Sequence, residues 1–595
     1  MLSLLAVLCC VLFLVRVHCS DETKDHYPDA AELQPLLSVE HNSSVPFLVT
    51  VLPFAVSWST MQRTCSHVQF GASPDALTQL KSGSSSRYAL DADYESQWIH
   101  VVHLPLIDAL QFYRVGCSET DVWSPTMRVV AAPLPAERFT VFAAADLGNS
   151  LAAQAVMRHM RMRAHRVRSV APPSMLLIAG DLAYGNGDRT AAPNNAWDRF
   201  QALLAPVVAS VPVVVCEGNH DAEFREFFKP LRARFATPGR WYAFRRGPVL
   251  SIMLSTEDNN EVSLERAEID FLRGELQRAR APGSDVQWII VAGHRPLFDS
   301  NVMYPDQLAM RAQLVPLFDE FRVDLYLSGH QHDYERTWPL RANKPTTERA
   351  STRKRPFAKA QGTIYAVIAA ERRHLRNILL GYEDSDGNAA GDAEVAQIKL
   401  NKAMRKEQRK QGDSVADSAV EIEQRDANHA ATVQRLRDAA NAAIRMTLEG
   451  KSVTRLHSSA EFEAPAPAWS AVRTGDAYGY VEMRFSANAS GLHWRYWRTD
   501  DNGTPETADE FFVCAHEACE FDLGDDGVES AVPTAKASAQ WLPLLQVVVG
   551  VACLLVAGRR RRFANSRATT LLPRTKSRAA KEDDEDDDDD NKSQM

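Results

Sequence analysis

The sequence predicts an α+β protein in three successive parts: an N-terminal β-sandwich, a layered domain of strands and helices, and a single C-terminal transmembrane helix. Three observations predict it. Between residues 46 and 133, short strand-like runs are separated by Gly, Pro and Ser clusters at sandwich-like spacing. From Phe139 onward, apolar runs of strand length alternate with helical stretches, the pattern of a mixed layered domain. Finally, Trp541 to Ala557 is almost wholly apolar and leads at once into Arg559-Arg560-Arg561-Arg562.

With 595 residues the chain is too long for one core, so two or three folded units are expected. The formal net charge is -9, but much of the acid sits in Glu582 to Asp590. The folded part is therefore near neutral, and no basic face suggests nucleic acid. Leu2 to Val15 is apolar and is followed by Arg16-Val17-His18-Cys19-Ser20, so residues 1–19 read as a secretory signal peptide. Residues 537–558 are long enough to cross a bilayer, and the four arginines place 559–595 in the cytoplasm. A lipid-anchor signal would end the chain after its apolar tail, whereas residues 563 to 595 continue past the arginines. The expected topology is a single-pass type I membrane protein, at the cell surface or in an endosomal or lysosomal membrane. Its large part lies outside the cytosol.

Cysteine usage agrees with an oxidising compartment. Of nine cysteines, Cys9, Cys10 and Cys19 belong to the signal and Cys553 to the span. Cys65–Cys117 and Cys514–Cys519 are the expected bridges, leaving Cys216 as a buried thiol in an apolar strand. No Cys-x-x-Cys pair exists, so a thiolate zinc site is not supported. Glycosylation sequons stand at Asn42, Asn488 and Asn502, all upstream of the span.

Taken in order, the first strands are Phe47 to Val51, Ala55 to Trp58, His67 to Phe70, Trp98 to Val102 and Leu110 to Val115. No acid, base or nucleophile converges among them. His67, His100 and His103 are scattered, so the 46–133 unit is assigned a structural role. Pro133 to Glu137 is a linker. The next five apolar runs share one feature: each ends in a residue with metal-ligand chemistry. Val141 to Ala145 runs into Asp146, and Met175 to Ala179 into Gly180-Asp181 and Tyr184. Val211 to Val215 leads to Asn219 and His220, Val286 to Val291 to His294, and Val323 to Leu327 to His330 and His332. Sheets of this class gather strand ends along one edge. Two aspartates, an asparagine, a tyrosine and three histidines then offer mixed oxygen and nitrogen ligation for hard or borderline cations.

These residues carry a resemblance. Asp146-x-Gly148, Gly180-Asp181-x-x-Tyr184, Gly218-Asn219-His220-Asp221, Val291-x-x-His294 and Gly329-His330-x-His332 resemble the five blocks of the purple acid phosphatases. Those are metallophosphoesterases that hold a ferric ion beside a divalent one. Tyr184 and Gly148 discriminate, because the wider group usually has His in place of Gly148 and lacks the tyrosine. The resemblance extends to Arg240-Trp241-Tyr242-Ala243-Phe244 with Gly247-Pro248, to Asp333-Tyr334-Glu335-Arg336 and to Ala477-Tyr478-Gly479-Tyr480. It makes 46–133 look like the fibronectin-like domain that precedes the catalytic domain in larger members. It also implies a two-sheet αββα sandwich built from 138–370 and 466–524.

By the same resemblance, Asp146, Tyr184 and His332 would hold the ferric ion. Asn219, His294 and His330 would hold the divalent ion (zinc, manganese or iron), and Asp181 would bridge the two. The phenolate-to-iron contact would colour the protein. Asn219 and His220 would contact substrate phosphate, with His220 as general acid for the leaving group. There are departures: Ala145 stands where Gly is common, and Asn301 to Pro305 lacks the histidines that some plant-type members carry. Residues 371–465 form a charged insertion, read as solvated and partly disordered or as a helical hairpin.

The expected reaction is hydrolysis of phosphomonoesters in acid by metal-activated hydroxide. A phosphodiesterase or nucleotide pyrophosphatase could use the same metals, and a surface receptor or adhesion protein would leave the site vestigial. Expected partners are a small phosphate ester, the membrane through one helix and a second copy of the chain.

Overall fold

The computed structural model describes residues 44 to 521, apart from 91–93, 105–106, 108–109, 185–194, 222–227, 258–262, 302–306, 371–465, 476–477, 500–503, 516–518 and 520. The signal segment, the 371–465 insertion, the 537–558 span, the acidic tail, Asn42 and Asn502 lie outside the described residues. Among those described, no helix is long and apolar enough to cross a membrane.

Residues 47 to 128 form two antiparallel sheets. In one, Phe47–Val51, Ala55–Thr60, Trp98–His103 and Ser84–Ser86 pair in that order; in the other, Val122–Trp123, Phe112–Cys117, His67–Gly71 and Gln79–Ser82 do. The strand period of two sends Val68 and Phe70 inward and leaves His67 and Gln69 half-exposed. Trp58, Tyr113 and Val115 fill the same core. Cys117 is bonded to Cys65 across a 52-residue separation, Cys514 is bonded to Cys519, and Cys216 is a buried free thiol. His100 is buried against Trp58, with ring centroids 5.0 Å apart, and its nitrogens meet the hydroxyls of Thr60 and Ser66. Burial pushes its pKa down to about 4, so this histidine is a neutral core residue.

The second domain is labelled from its own first strand: β1 (Phe139–Ala144), β2 (Pro173–Ala179), β3 (Val213–Cys216), β4 (Tyr242–Arg246), β5 (Val249–Met253), β6 (Trp288–Ala292), β7 (Leu325–Ser328), β8 (Tyr334–Thr337), β9 (Phe357–Ala358), β10 (Ile364–Ile368), β11 (Ser470–Thr474), β12 (Tyr478–Phe485), β13 (Gly491–Thr499) and β14 (Pro505–Cys514). Its helices are α1 (Leu151–Val167), α2 (Ala196–Val208), α3 (Lys229–Phe235), α4 (Arg266–Ala279) and α5 (Leu308–Phe321). Two seven-stranded mixed sheets result, in the orders β3-β2-β1-β12-β13-β14-β9 and β4-β5-β6-β7-β10-β8-β11. In the first, β3, β2 and β1 run parallel at one edge, β12, β13 and β14 follow antiparallel, and β9 pairs parallel with β14. In the second, β5, β6, β7 and β10 are parallel, with β4 antiparallel on one side and β8 and β11 on the other.

The sheets share a core. Val141, Ala143, Met175 and Leu177 from the first meet Ile290, Ala292, Leu325 and Ala366 from the second. On the outer face of the first sheet, Phe142, Leu176 and Ile178 pack with Met157, Trp197 and Leu231 from α1, α2 and α3. On the outer face of the second, Ile289 and Val291 pack with Leu272, Leu276, Leu314 and Phe318 from α4 and α5. The layers are therefore α, β, β, α. Parallel strands covered on both faces are largely apolar, which is why β2 is buried at all seven positions and reads as an apolar run from Met175 to Ala179.

Arg234 is one of the residues that key the sandwich to this domain. Arg234, at the end of α3, is fully buried and donates to Asp198 at 2.8 Å, to the Tyr88 hydroxyl at 2.8 Å and to the Tyr94 hydroxyl at 3.1 Å. Its own carbonyl accepts from the Ser57 hydroxyl at 2.8 Å. The segment just before the linker joins in, since Arg246 at the end of β4 donates to the Val130 carbonyl.

Candidate metal centre

The parallel strands β1, β2, β3, β6 and β7 all end on the same edge of the double sheet, and each delivers its expected residue there. The chain must turn sharply off each strand. Asp146, Asp181, Tyr184 and His330 do so in the left-handed region, at φ of 50°, 50°, 52° and 71°. Side chains other than glycine rarely adopt that conformation, and each instance costs on the order of 1–3 kcal/mol.

The side chains close into two adjoining groups. In the first, the Tyr184 hydroxyl lies 3.1 Å from Asp146 Oδ1 and 2.9 Å from His332 Nε2, which is 3.5 Å from Asp146 Oδ1. In the second, Asn219 Oδ1 lies 3.1 Å from His294 Nε2 and 2.8 Å from His330 Nδ1. Asp181 sits between them, with Oδ2 at 3.3 Å from His294 Nε2. Ligand atoms of Asp146, Asp181 and His294 all fall within 4.8 Å of one another.

These spacings suit cations. Ligand bonds of about 2.1 Å set neighbouring ligand atoms about 3.0 Å apart in an octahedron and about 3.4 Å apart in a tetrahedron. Electrostatics point the same way. Burial would lower the His294 pKa, but Asp181 first, then Asp146 and Glu257, push it up to about 10. Burial would raise Asp181, yet His294 and then His220 hold its carboxyl below the usual range. The pocket therefore draws positive charge.

Neighbouring groups fix these side chains. The His330 backbone N–H donates to both oxygens of Asp146, at 3.1 and 2.9 Å, and the His220 backbone N–H donates to Asp181 Oδ1 at 2.7 Å. The Ala179 carbonyl lies 3.0 Å from His294 Nδ1, which leaves Nε2 directed at the site. Two glycines are required by contact. A Cβ on Gly329 would lie 2.0 Å from Asp146 Oδ2, and one on Gly218 would lie 2.3 Å from Asp181 Oδ1.

All seven expected ligands and His220 thus meet at one place. His220 is half-buried, its ring 4.8 Å from that of Tyr184. Four further residues have roles that the sequence reading did not assign. Asp221 accepts from the Leu182 N–H at 2.9 Å and the Gly218 N–H at 3.0 Å, tying the loops after β2 and β3 together. Thr256 and Glu257 follow β5, and Arg295 follows His294. Arg295 Nη2 is 2.9 Å from Glu257 Oε2, its Nη1 is 3.0 Å from His330 Nε2, and its backbone N–H donates to the Thr256 hydroxyl at 3.0 Å. The available signal was Val249-Leu250-Ser251-Ile252-Met253, a sixth apolar strand leading into polar residues.

The fold is that of a metallophosphoesterase sandwich. Residues 139–334 match the calcineurin-like phosphoesterase family, and residues 450–509 match the iron/zinc purple acid phosphatase-like C-terminal family. Acid phosphatase type 7 of Homo sapiens is 29% identical over 341 residues, covering 53% of this chain and 74% of that protein. Fe(3+)-Zn(2+) purple acid phosphatase 12 of Arabidopsis thaliana is 27% identical over 309 residues, covering 47% of this chain and 61% of that protein. The structure of a purple acid phosphatase from yellow lupin (Lupinus luteus) seeds superposes with a TM-score of 0.55 at 17% identity, covering 81% of this chain and 77% of that one, a likeness of fold. Over these regions the chain is similar to the purple acid phosphatases.

Proposed function

We propose that the protein is a binuclear metal-dependent acid phosphatase that hydrolyses phosphomonoesters. The observation that carries this is the closed set of seven donors. Asp146, Tyr184 and His332 would hold a ferric ion, Asn219, His294 and His330 a divalent one, and Asp181 both. When bound, the two ions supply Lewis acidity toward phosphate oxygens and lower the pKa of water. The chain does the rest. Asn219 lies half-buried at the mouth, where a phosphate can reach it. His220 lies beside it, and its backbone bond to Asp181 fixes the ring's starting point. There it can donate a proton to the departing alcohol, and in acid it is more fully protonated for that task. Asp221 keeps the two loops in register while this happens.

The test is metal analysis, a visible spectrum and turnover of the purified protein on p-nitrophenyl phosphate in acid. Iron with a second metal, a tyrosinate band and loss of turnover in Asp181→Asn are expected. A colourless, iron-free protein, or full turnover in Asp181→Asn, would sink the reading. Comparing the bis-ester and ATP separates it from a diesterase or a pyrophosphatase.

The membrane arrangement belongs to the same proposal. Signal 1–19, span 537–558 and tail 559–595 make a type I protein whose fibronectin-like sandwich and catalytic domain face away from the cytosol. The two disulfides agree with such a compartment. Extraction of the phosphatase from membranes by alkaline carbonate, without detergent, would refute the span.

A further inference from the structure

Behind His330 stands an arrangement opposite in polarity to the usual support of a metal-binding histidine. Such a histidine ordinarily donates its outer N–H to a carboxylate or carbonyl, which strengthens the inner nitrogen as a donor. Here the outer nitrogen, Nε2, faces Arg295 Nη1 at 3.0 Å. Guanidinium has only N–H groups to offer, so Nε2 must be the acceptor. The guanidinium cannot easily turn away. Its Nε lies 3.1 Å from both oxygens of Glu257, and its Nη2 is 2.9 Å from Oε2. The pair is buried, with side chains 5% and 3% exposed, and Arg295 is anchored at its carbonyl by the Tyr326 hydroxyl at 2.8 Å.

From this we infer that Arg295 is a positioning residue for the divalent half of the centre, and that it weakens the second ion's hold. The inference rests on the ligand set proposed above. A neutral imidazole carries one N–H. With Nε2 accepting, that N–H sits on Nδ1 and points at Asn219 Oδ1, 2.8 Å away. An ion arriving between His330 and Asn219 therefore meets an N–H and not a lone pair, until the contact with Arg295 is broken. The other three-residue group has no such obstruction. His332 presents Nε2 toward Tyr184 and Asp146, and its Nδ1 has no hydrogen-bond partner among the described residues. The obstruction therefore falls on the divalent half alone. Glu257 serves by holding the guanidinium in place.

The experiment is a zinc titration of the full-length, iron-loaded protein against a competing chelator, with the visible band recorded throughout. The variant is Glu257→Gln with Arg295→Gln, which removes both buried charges together. Outer-shell changes typically move metal affinity by about 10–100-fold. We expect zinc to bind at least about 10-fold tighter in the double variant, with iron content and band unchanged. Arg295→Lys keeps a charge beside Glu257 but lacks the fork, and it should shift zinc affinity the same way by less. If the double variant does not fold, Arg295→Lys alone decides the matter. Zinc affinity that is unchanged or weaker would overturn the role of Arg295. Wild-type protein without iron or band would instead overturn the ligand set itself, so the two failures are distinguishable.

Discussion

Gly329→Ala tests whether the centre is as tightly built as its contacts indicate. The new methyl would lie 2.0 Å from Asp146 Oδ2 and 2.6 Å from the Ala145 Cβ. Comfortable carbon contacts begin near 3.5–4.0 Å, so something must move by roughly 1.5 Å. Ala145 and Asp146 are both fully buried, and both oxygens of Asp146 already accept from the His330 N–H. Losing that charged hydrogen bond costs about 1.5–3 kcal/mol, and overpacking the core costs about 1–3 kcal/mol more. The sum, roughly 3–6 kcal/mol, is a large part of the 5–15 kcal/mol that holds an ordinary domain together. The moved carboxylate should also release the first ion. Urea unfolding, iron per chain and turnover should therefore all fall together. Gly239→Ala is the control, since its Cβ would meet nothing closer than 3.4 Å. A Gly329→Ala protein with wild-type iron content and unfolding midpoint would refute the reasoning.

Tyr184→Phe should abolish the visible band and reduce iron retention while costing only about 1 kcal/mol of stability, because it keeps the ring and removes the hydroxyl that meets Asp146 and His332; a persistent band would show that another residue supplies the colour. Arg234→Met leaves Asp198 buried without its cation and should cost roughly 3–5 kcal/mol in urea unfolding, with turnover retained at low temperature. Cys65→Ala with Cys117→Ala frees a 52-residue separation and should cost about 4 kcal/mol without changing turnover. Burial pushes the Glu268 carboxyl up from its ordinary 4.5 to about 8. The folded state then holds a proton that the unfolded chain has lost, so this stability is complete below the lower value and fades as pH rises through the higher one. Glu268→Gln should flatten the stability–pH curve across that window, by up to about 1.4 kcal/mol per pH unit; an identical slope in both proteins would disprove it.

The centre was legible because of how its strands are buried. β1, β2, β6 and β7 are covered on both faces, so each carries an apolar run of at least three residues, and the acid or histidine that follows marks the edge of the sheet. The same burial moved boundaries: Val211 and Val286 read as strand, yet pairing begins at Val213 and Trp288. Glu257 was missed because Ser255 and Thr256 separate it from β5 and it binds no expected ion. Its meaning appears only once Arg295, 38 positions away, lies against it. Arg234 is a sharper case. Its partners Tyr88 and Tyr94 are 146 and 140 positions distant, and no periodicity records a contact between two domains. Local pattern reports which face of a strand is buried, whereas charge pairing across layers depends on topology.

The two halves of the centre differ in the charge that their deprotonated donors carry. Under the proposed assignment, the first offers two anionic donors, Asp146 and Tyr184, with His332. The second offers only neutral donors, Asn219, His294 and His330. Asp181 is shared. A trivalent ion gains more from the first set, because interaction scales with the product of charges. A divalent ion loses less in the second. Arg295 adds to this contrast, because its N–H faces the outer side of His330 while Glu257 keeps its charge from spreading further. Selection of a ferric ion on one side and a labile divalent ion on the other then needs no difference in cavity size. It follows from which strand end carries an acid, and from what stands behind each histidine.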